Sequence, residues 1–189
     1  MKLKRLVYRC YLALLLVNLG LLNTSANAQV DLNNKAQLTA AFIYQITKFT
    51  LWPETLFAKS NPSLSICVLG QADVKLHQYL SELETKSTQG YSIDIVQLND
   101  KQQLFGLPDN NCKVLYATDE QWADLTLQEI TQLTQTTLLI GTSKRFLQHG
   151  GMLALLIINN KMKIFINSTN IEKTPIKLES RLKALAKSI

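Results

Sequence analysis

The chain has 189 residues but only two histidines, His77 and His149, and three cysteines, and these scarcities remove whole classes of chemistry. A metal centre needs several His, Cys or acidic ligands held close together. Each histidine here stands alone, so a surface or turn position is expected for both. Also missing are the G-x-S-x-G elbow, the H-E-x-x-H helix, the P-loop and the G-x-G-x-x-G turn, and with them the usual sequence marks of hydrolases, zinc proteases and nucleotide sites. The expectation is a protein that is not an enzyme and holds no cofactor and no metal. Glycine (7) and proline (4) are too sparse for collagen-like sequence, and 47% hydrophobic residues exclude long disorder.

Positive charge is scarcer than the net value of +6 implies. Lys2, Lys4, Arg5 and Arg9 fall in the first 28 residues, which contain no acid; the 20 basic residues less these four leave 16 against 14 acidic ones. A near-neutral remainder creates no field for gripping nucleic acid, and none is expected as a partner. The basic start, the apolar stretch 11–22 and the small residues Ala26 and Ala28 around Asn27 read together as a secretory signal, cut after Ala28. The apolar stretch is roughly half of the ~20 residues that a membrane helix needs and is broken by Asn18 and Gly20, so no membrane insertion is expected. Cys10 precedes that stretch and is misplaced for a lipid-modified terminus. Residues 29–189 are then expected as one exported domain.

Two cysteines remain after such a cut, Cys67 and Cys112, each beside a short apolar run. In an oxidising compartment they can form one bridge, or they can stay as inert buried thiols; neither has a neighbouring His or a Cys-x-x-Cys partner to make it catalytic. A bridge would close a loop worth roughly 4 kcal/mol on the chain-entropy model.

Leu38, Phe42, Ile46 and Phe49 recur at helical spacing and predict a helix ending at Trp52-Pro53, because proline disfavours helical geometry in the residue before it. The runs 64–69, 114–117 and 138–140 lack alternation, as strands buried on both faces do. Ile93 and Ile95 alternate with polar residues and predict a more exposed strand. Helices are expected over 73–83, 121–134 and 143–148, alternating with the strands. Runs 152–158 and 161–166 flank Asn159-Asn160, a pair that tolerates the positive φ of a hairpin turn. A terminal helix is expected with Leu178, Leu182, Leu185 and Ile189 on one face. The fold class is therefore α/β: a single sheet of about five to six strands with helices on both faces, a Rossmann-like three-layer arrangement closed by a C-terminal hairpin and helix.

Candidate binding residues are few. Trp52, Pro53, Leu56 and Phe57 form an apolar cluster at a helix exit, either a partner-binding face or a cap on the core. Lys177 and Arg181, four residues apart, can hold a carboxylate or phosphate, or line a solvated helix face. Ser180 and Lys183 match S-x-x-K, but no S-D-N or K-T-G partner exists. Gly150-Gly151 serves a tight turn. Asp119, Glu120 and Asp124 suit a helix start without catalytic duty.

Three stretches together carry a resemblance. They are Ala40 to Pro53 with its Phe49-x-x-Trp52-Pro53 ending, Ile66-Cys67-Val68-Leu69-Gly70 with Cys112 to Ala117, and Gly150-Gly151-Met152 followed by Asn167 and Ser180-Arg181-Leu182. In that order they resemble the YfiR-like family of periplasmic regulators. The resemblance implies a small α/β domain without enzymatic activity. It would bind the periplasmic sensor domain of an inner-membrane diguanylate cyclase, or of a sensor kinase, and lower cyclic-di-GMP and biofilm formation. It also implies a homodimer and a disulfide on Cys67 and Cys112; a second disulfide found in some members has no cysteines here. The alternative reading is a periplasmic small-ligand sensor acting with a sensor kinase, its pocket at the strand ends near Gly70 and Gly141.

Overall fold

The computed structural model describes residues 32–57, 62–71, 73–108 and 111–189; the expected leader and the cut after Ala28 lie outside them. In chain order the elements are α1 (Leu32–Lys48), β1 (Thr50–Leu51), β2 (Ser63–Leu69), α2 (Val74–Ser81), β3 (Ser87–Thr88), β4 (Tyr91–Leu98), α3 (Lys101–Phe105) and β5 (Val114–Ala117). There follow α4 (Asp119–Ala123), α5 (Leu127–Leu133), β6 (Leu138–Gly141), α6 (Lys144–Gln148), β7 (Leu153–Ile158), β8 (Lys161–Ile166), α7 (Ser168–Glu172), β9 (Lys177–Leu178), α8 (Ser180–Leu185) and β10 (Lys187–Ser188).

Every residue of β5 and β6, and β2 from Leu64 onward, is buried, which is why these strands read as unbroken apolar runs. They form the middle of a sheet ordered β10-β8-β7-β6-β5-β2-β4-β3. Its parallel part, β4-β2-β5-β6-β7, carries the order 2-1-3-4-5 when the five strands are numbered along the chain. The connection from β2 to β4 runs one way and those from β5 through β7 the other. Because such crossovers are right-handed, their helices fall on opposite faces, giving a doubly wound three-layer α/β fold. The sheet has eight strands among the described residues, rather than five to six, because the two-residue edge strands β3 and β10 carry no apolar pattern of their own.

Hairpins widen the sheet at both sides. Asn159 (φ 50) and Asn160 (φ 56) make the expected turn between β7 and β8, and Gln89 (φ 51) with Gly90 (φ 86) makes the turn between β3 and β4. Gly150, at φ 97, turns the chain into β7 as expected.

Three elements depart from expectation. The deepest face of α1 is Ala36, Ala40, Ile43 and Ile46, whereas Leu38, Phe42 and Phe49 are half-buried at its flanks; the small alanines let the helix backbone approach its neighbours. The expected helix 121–134 is two helices, since Thr126 caps α5 with a reciprocal box, its hydroxyl receiving the Glu129 N–H while Glu129 receives the Thr126 N–H. The expected terminal helix is only α8. Lys177-Leu178 pairs instead with β1 in an antiparallel ladder, Leu178 and Leu182 are buried, and Leu185 and Ile189 are exposed.

Candidate functional site

The exit of α1 is built by contacts between distant segments. Thr50-Leu51 leaves the helix as β1, paired with β9, and Glu179 donates its N–H to Phe49 O at 2.9 Å. The Gln89 side-chain amide reaches across from the β3–β4 turn and donates to Thr47 O, Lys48 O and Thr50 O at 3.1, 3.1 and 2.8 Å, satisfying carbonyls that a helix end leaves open. The Trp52 indole N–H donates to Thr47 O as well, at 3.3 Å. Trp52 meets Phe57 edge-on, with centroids 6.4 Å apart, and Phe57 stacks on Tyr91 of β4 at 3.8 Å.

The four candidates Trp52, Pro53, Leu56 and Phe57 therefore share one place, each half-buried with Trp52, Leu56 and Phe57 packed against the core. Beside them Leu51 is 50% exposed. Sequence reading missed Leu51, Gln89 and Tyr91, because the β1–β9 ladder and the hairpin that bring them here have no local signal.

Doubly wound sheets bind ligands beyond the carboxyl ends of their strands, where the order reverses, here between β2 and β5. That position is occupied from within. A Cβ at Gly70 would overlap the Gln121 side chain, which is held by Thr118, and Gly70 O also accepts from the Gln97 amide. One strand further on, a Cβ at Gly141 or Gly151 would overlap the Phe146 ring. These glycines seat the protein's own side chains. What remains of the crevice is an open hollow of about 310 Å³ edged by Asn99, Lys101 and Gln121. Within it Lys101 is bridged to Glu129 at 3.1 Å, and the Glu129 carboxyl is held below its ordinary value, first by the Thr126 backbone N–H and then by Lys101.

Elsewhere the candidates do not converge. Lys177 lies in β9, not on a helix with Arg181, and its ammonium donates to Thr174 O at 2.8 Å and Glu172 O at 3.4 Å, closing the end of α7. Arg181, Ser180 and Lys183 are exposed on α8. His77 is exposed on α2, and His149 is exposed just past α6 with Nδ1–H donating to Arg145 O at 2.8 Å. Among the described residues no group of three or more His, Cys, Asp and Glu is placed to hold a metal. Tyr116 in β5 is pushed by burial up to about 12, so its phenol keeps its proton at neutral pH.

Cys67 in β2 and Cys112 before β5 are joined as a disulfide, with Cα atoms 5.8 Å apart. Both lie in the core. Asn167 caps α7 and donates to Leu147 O, while Asn170 donates to Leu147 O and Gly151 O, so the Gly150-Gly151 turn and the β8–α7 corner are tied together.

Together these features define a class: a doubly wound α/β domain bridged across its central strands, with its own side chains seated on the glycines at the strand ends. Within that class the chain belongs to the YfiR/HmsC-like family, whose model matches residues 36–187. No curated protein matches the chain significantly. No helix among the described residues is long and apolar enough to cross a membrane.

Proposed function

We propose that the protein is a periplasmic, non-enzymatic regulator. It binds the periplasmic sensor domain of an inner-membrane diguanylate cyclase, and so lowers cyclic-di-GMP and biofilm formation. Membership of the YfiR/HmsC-like family over residues 36–187 carries this reading. The basic, apolar and small-residue succession that ends at Ala28 supports export. The partner face is assigned to Trp52, Pro53, Leu56 and Phe57, with Leu51 beside them. Aromatic side chains dominate binding energy where a partner can exclude water from them, and this cluster rests on a hydrogen-bonded helix exit that fixes its geometry. Repression then follows from occupancy: the regulator holds the cyclase inactive to the extent that it binds the inactive state more tightly than the active one.

Capture from solubilised membranes with tagged protein tests this. The expected catch is a membrane protein with a cytoplasmic diguanylate cyclase domain, depleted when Leu51→Glu is used as bait. Leu51 is the variant of choice because it is 50% exposed, and the melting temperature of the purified variant checks that it folds. Capture of a sensor kinase in place of a cyclase, or equal capture by the variant, contradicts the proposal.

A further inference from the structure

The near-neutral total conceals an uneven division of charge. Residues 141–189 hold nine lysines and arginines against two acids, whereas residues 29–140 hold seven against twelve. Strand pairing gathers part of the basic excess on one face of the sheet edge. Lys161 and Lys163 alternate with Phe165 along β8, so all three point to one side. Lys187 of β10 is the parallel partner of Phe165, and the Lys144 ammonium lies 5.4 Å from the centre of the same ring, so both join that side. None of the four lysines is in an ion pair among the described residues. Apolar side chains accompany them, because burial fades along the β7–β8 hairpin toward Asn159-Asn160. Residues 153–155 and 164–166 are buried, Leu156, Ile158 and Met162 are half-buried, and Ile157, opposite Met162, is 40% exposed.

We propose that this edge docks peripherally on an anionic phospholipid bilayer, with the hairpin tip in the headgroup layer and the lysines over the lipid phosphates. The inference goes beyond the partner face assigned above and rests only on the export proposed there. Composition selects the occupant. Protein interfaces favour arginine, whose planar fork fixes carboxylates, and are depleted of lysine. All four cations here are lysines, compact charges that suit a surface of many mobile anions. A lysine stem can also lie along apolar surface while its ammonium reaches a headgroup, and Lys163, half-buried opposite Leu156, is placed to do so. The exposed Ile157 beside a polar turn supplies the apolar contact that interfacial binding adds to charge.

The purified exported chain would be sedimented with vesicles of phosphatidylcholine alone and of phosphatidylcholine with about one-third phosphatidylglycerol, at low and at physiological salt. Binding should require the anionic lipid and weaken as salt rises. Lys161→Gln/Lys187→Gln, at two exposed positions, should weaken it about 25-fold, roughly fivefold for each lysine near the surface. Lys35→Gln/Lys75→Gln removes the same charge from exposed sites on α1 and α2 and should bind as wild type. Ile157→Ser should weaken binding without changing its salt dependence. Melting temperatures check that each variant folds. Equal sedimentation with both vesicles, none with either at low salt, or equal loss in the two lysine pairs overturns the proposal. So does a Lys161→Gln/Lys187→Gln variant that sediments as wild type but no longer captures a membrane protein in detergent, which would assign the lysines to an acidic protein. Because the vesicles contain no protein, failure here leaves the cyclase reading untouched, and the wild-type comparison stands whatever the variants do.

Discussion

Phe146 is seated on two glycines and against Trp122, so the end of β6 has no room for a side chain at Gly141. Gly141→Ala should therefore lower stability by about 1–3 kcal/mol, the usual cost of overpacking. Phe146→Ala removes the ring carbons Cγ, Cδ1 and Cδ2 that the new methyl meets, so the double variant should lose less than the two single losses together, by at least ~0.5 kcal/mol. Urea unfolding of the four proteins measures this, and strict additivity would show that the ring is not what the glycine accommodates. Single residues were unevenly legible in the sequence. Gly150 and the Asn159-Asn160 pair were readable because their turns are set by neighbouring residues. The service of Gly70 and Gly141 to Gln121 and Phe146 was not, since those partners arrive from other elements.

Between elements, the most economical link is Gln89, one side chain serving three carbonyls at the end of α1. Gln89→Ala should destabilise the domain by about 1–3 kcal/mol, because it leaves a helix end underserved. Hydrogen exchange should quicken at the α1 exit and in the β3–β4 hairpin before it does in β2. Uniform exchange across the sheet would place the capping elsewhere. The α5 box adds a pH dependence: Glu129 titrates below its ordinary value of 4.5 in the folded protein, so its stabilisation is complete above that value and is lost as pH falls through the lowered one. Melting curves of wild-type and Glu129→Gln protein should thus differ at neutral pH and converge in acid; a constant gap would contradict the assignment.

Element by element, the central strands were legible because total burial leaves an apolar run that needs no partner to be recognised. The C-terminal helix was overextended for the opposite reason. Leu178, Leu182, Leu185 and Ile189 have helical spacing, but the pairing of Lys177-Leu178 with Thr50-Leu51 is a long-range contact that overrides local periodicity. Likewise the break between α4 and α5 lay in Thr126 and Glu129, a capping signature inside a pattern that reads as continuous.

At the scale of the molecule, one covalent link spans 45 residues and ties β2 to the approach of β5. On the chain-entropy model that loop contributes about 4 kcal/mol, a large share of the ~5–15 kcal/mol that holds a domain together. Exported protein alkylated without reductant should take up no label at Cys67 or Cys112, and Cys67→Ala/Cys112→Ala should melt well below wild type. Two labels on unreduced protein would contradict the bridge. The same link connects stability to function, for a regulator that acts by occupancy must be folded to occupy, and the cysteine-free variant should behave as a partial deletion. Cellular cyclic-di-GMP tests the proposed function most directly, measured in a strain lacking the gene and in the same strain supplied with the exported wild-type chain. Deletion should raise the level and the exported chain should return it to the starting value. An unchanged level, with the protein shown to be exported and folded, would contradict the proposal that it represses a diguanylate cyclase.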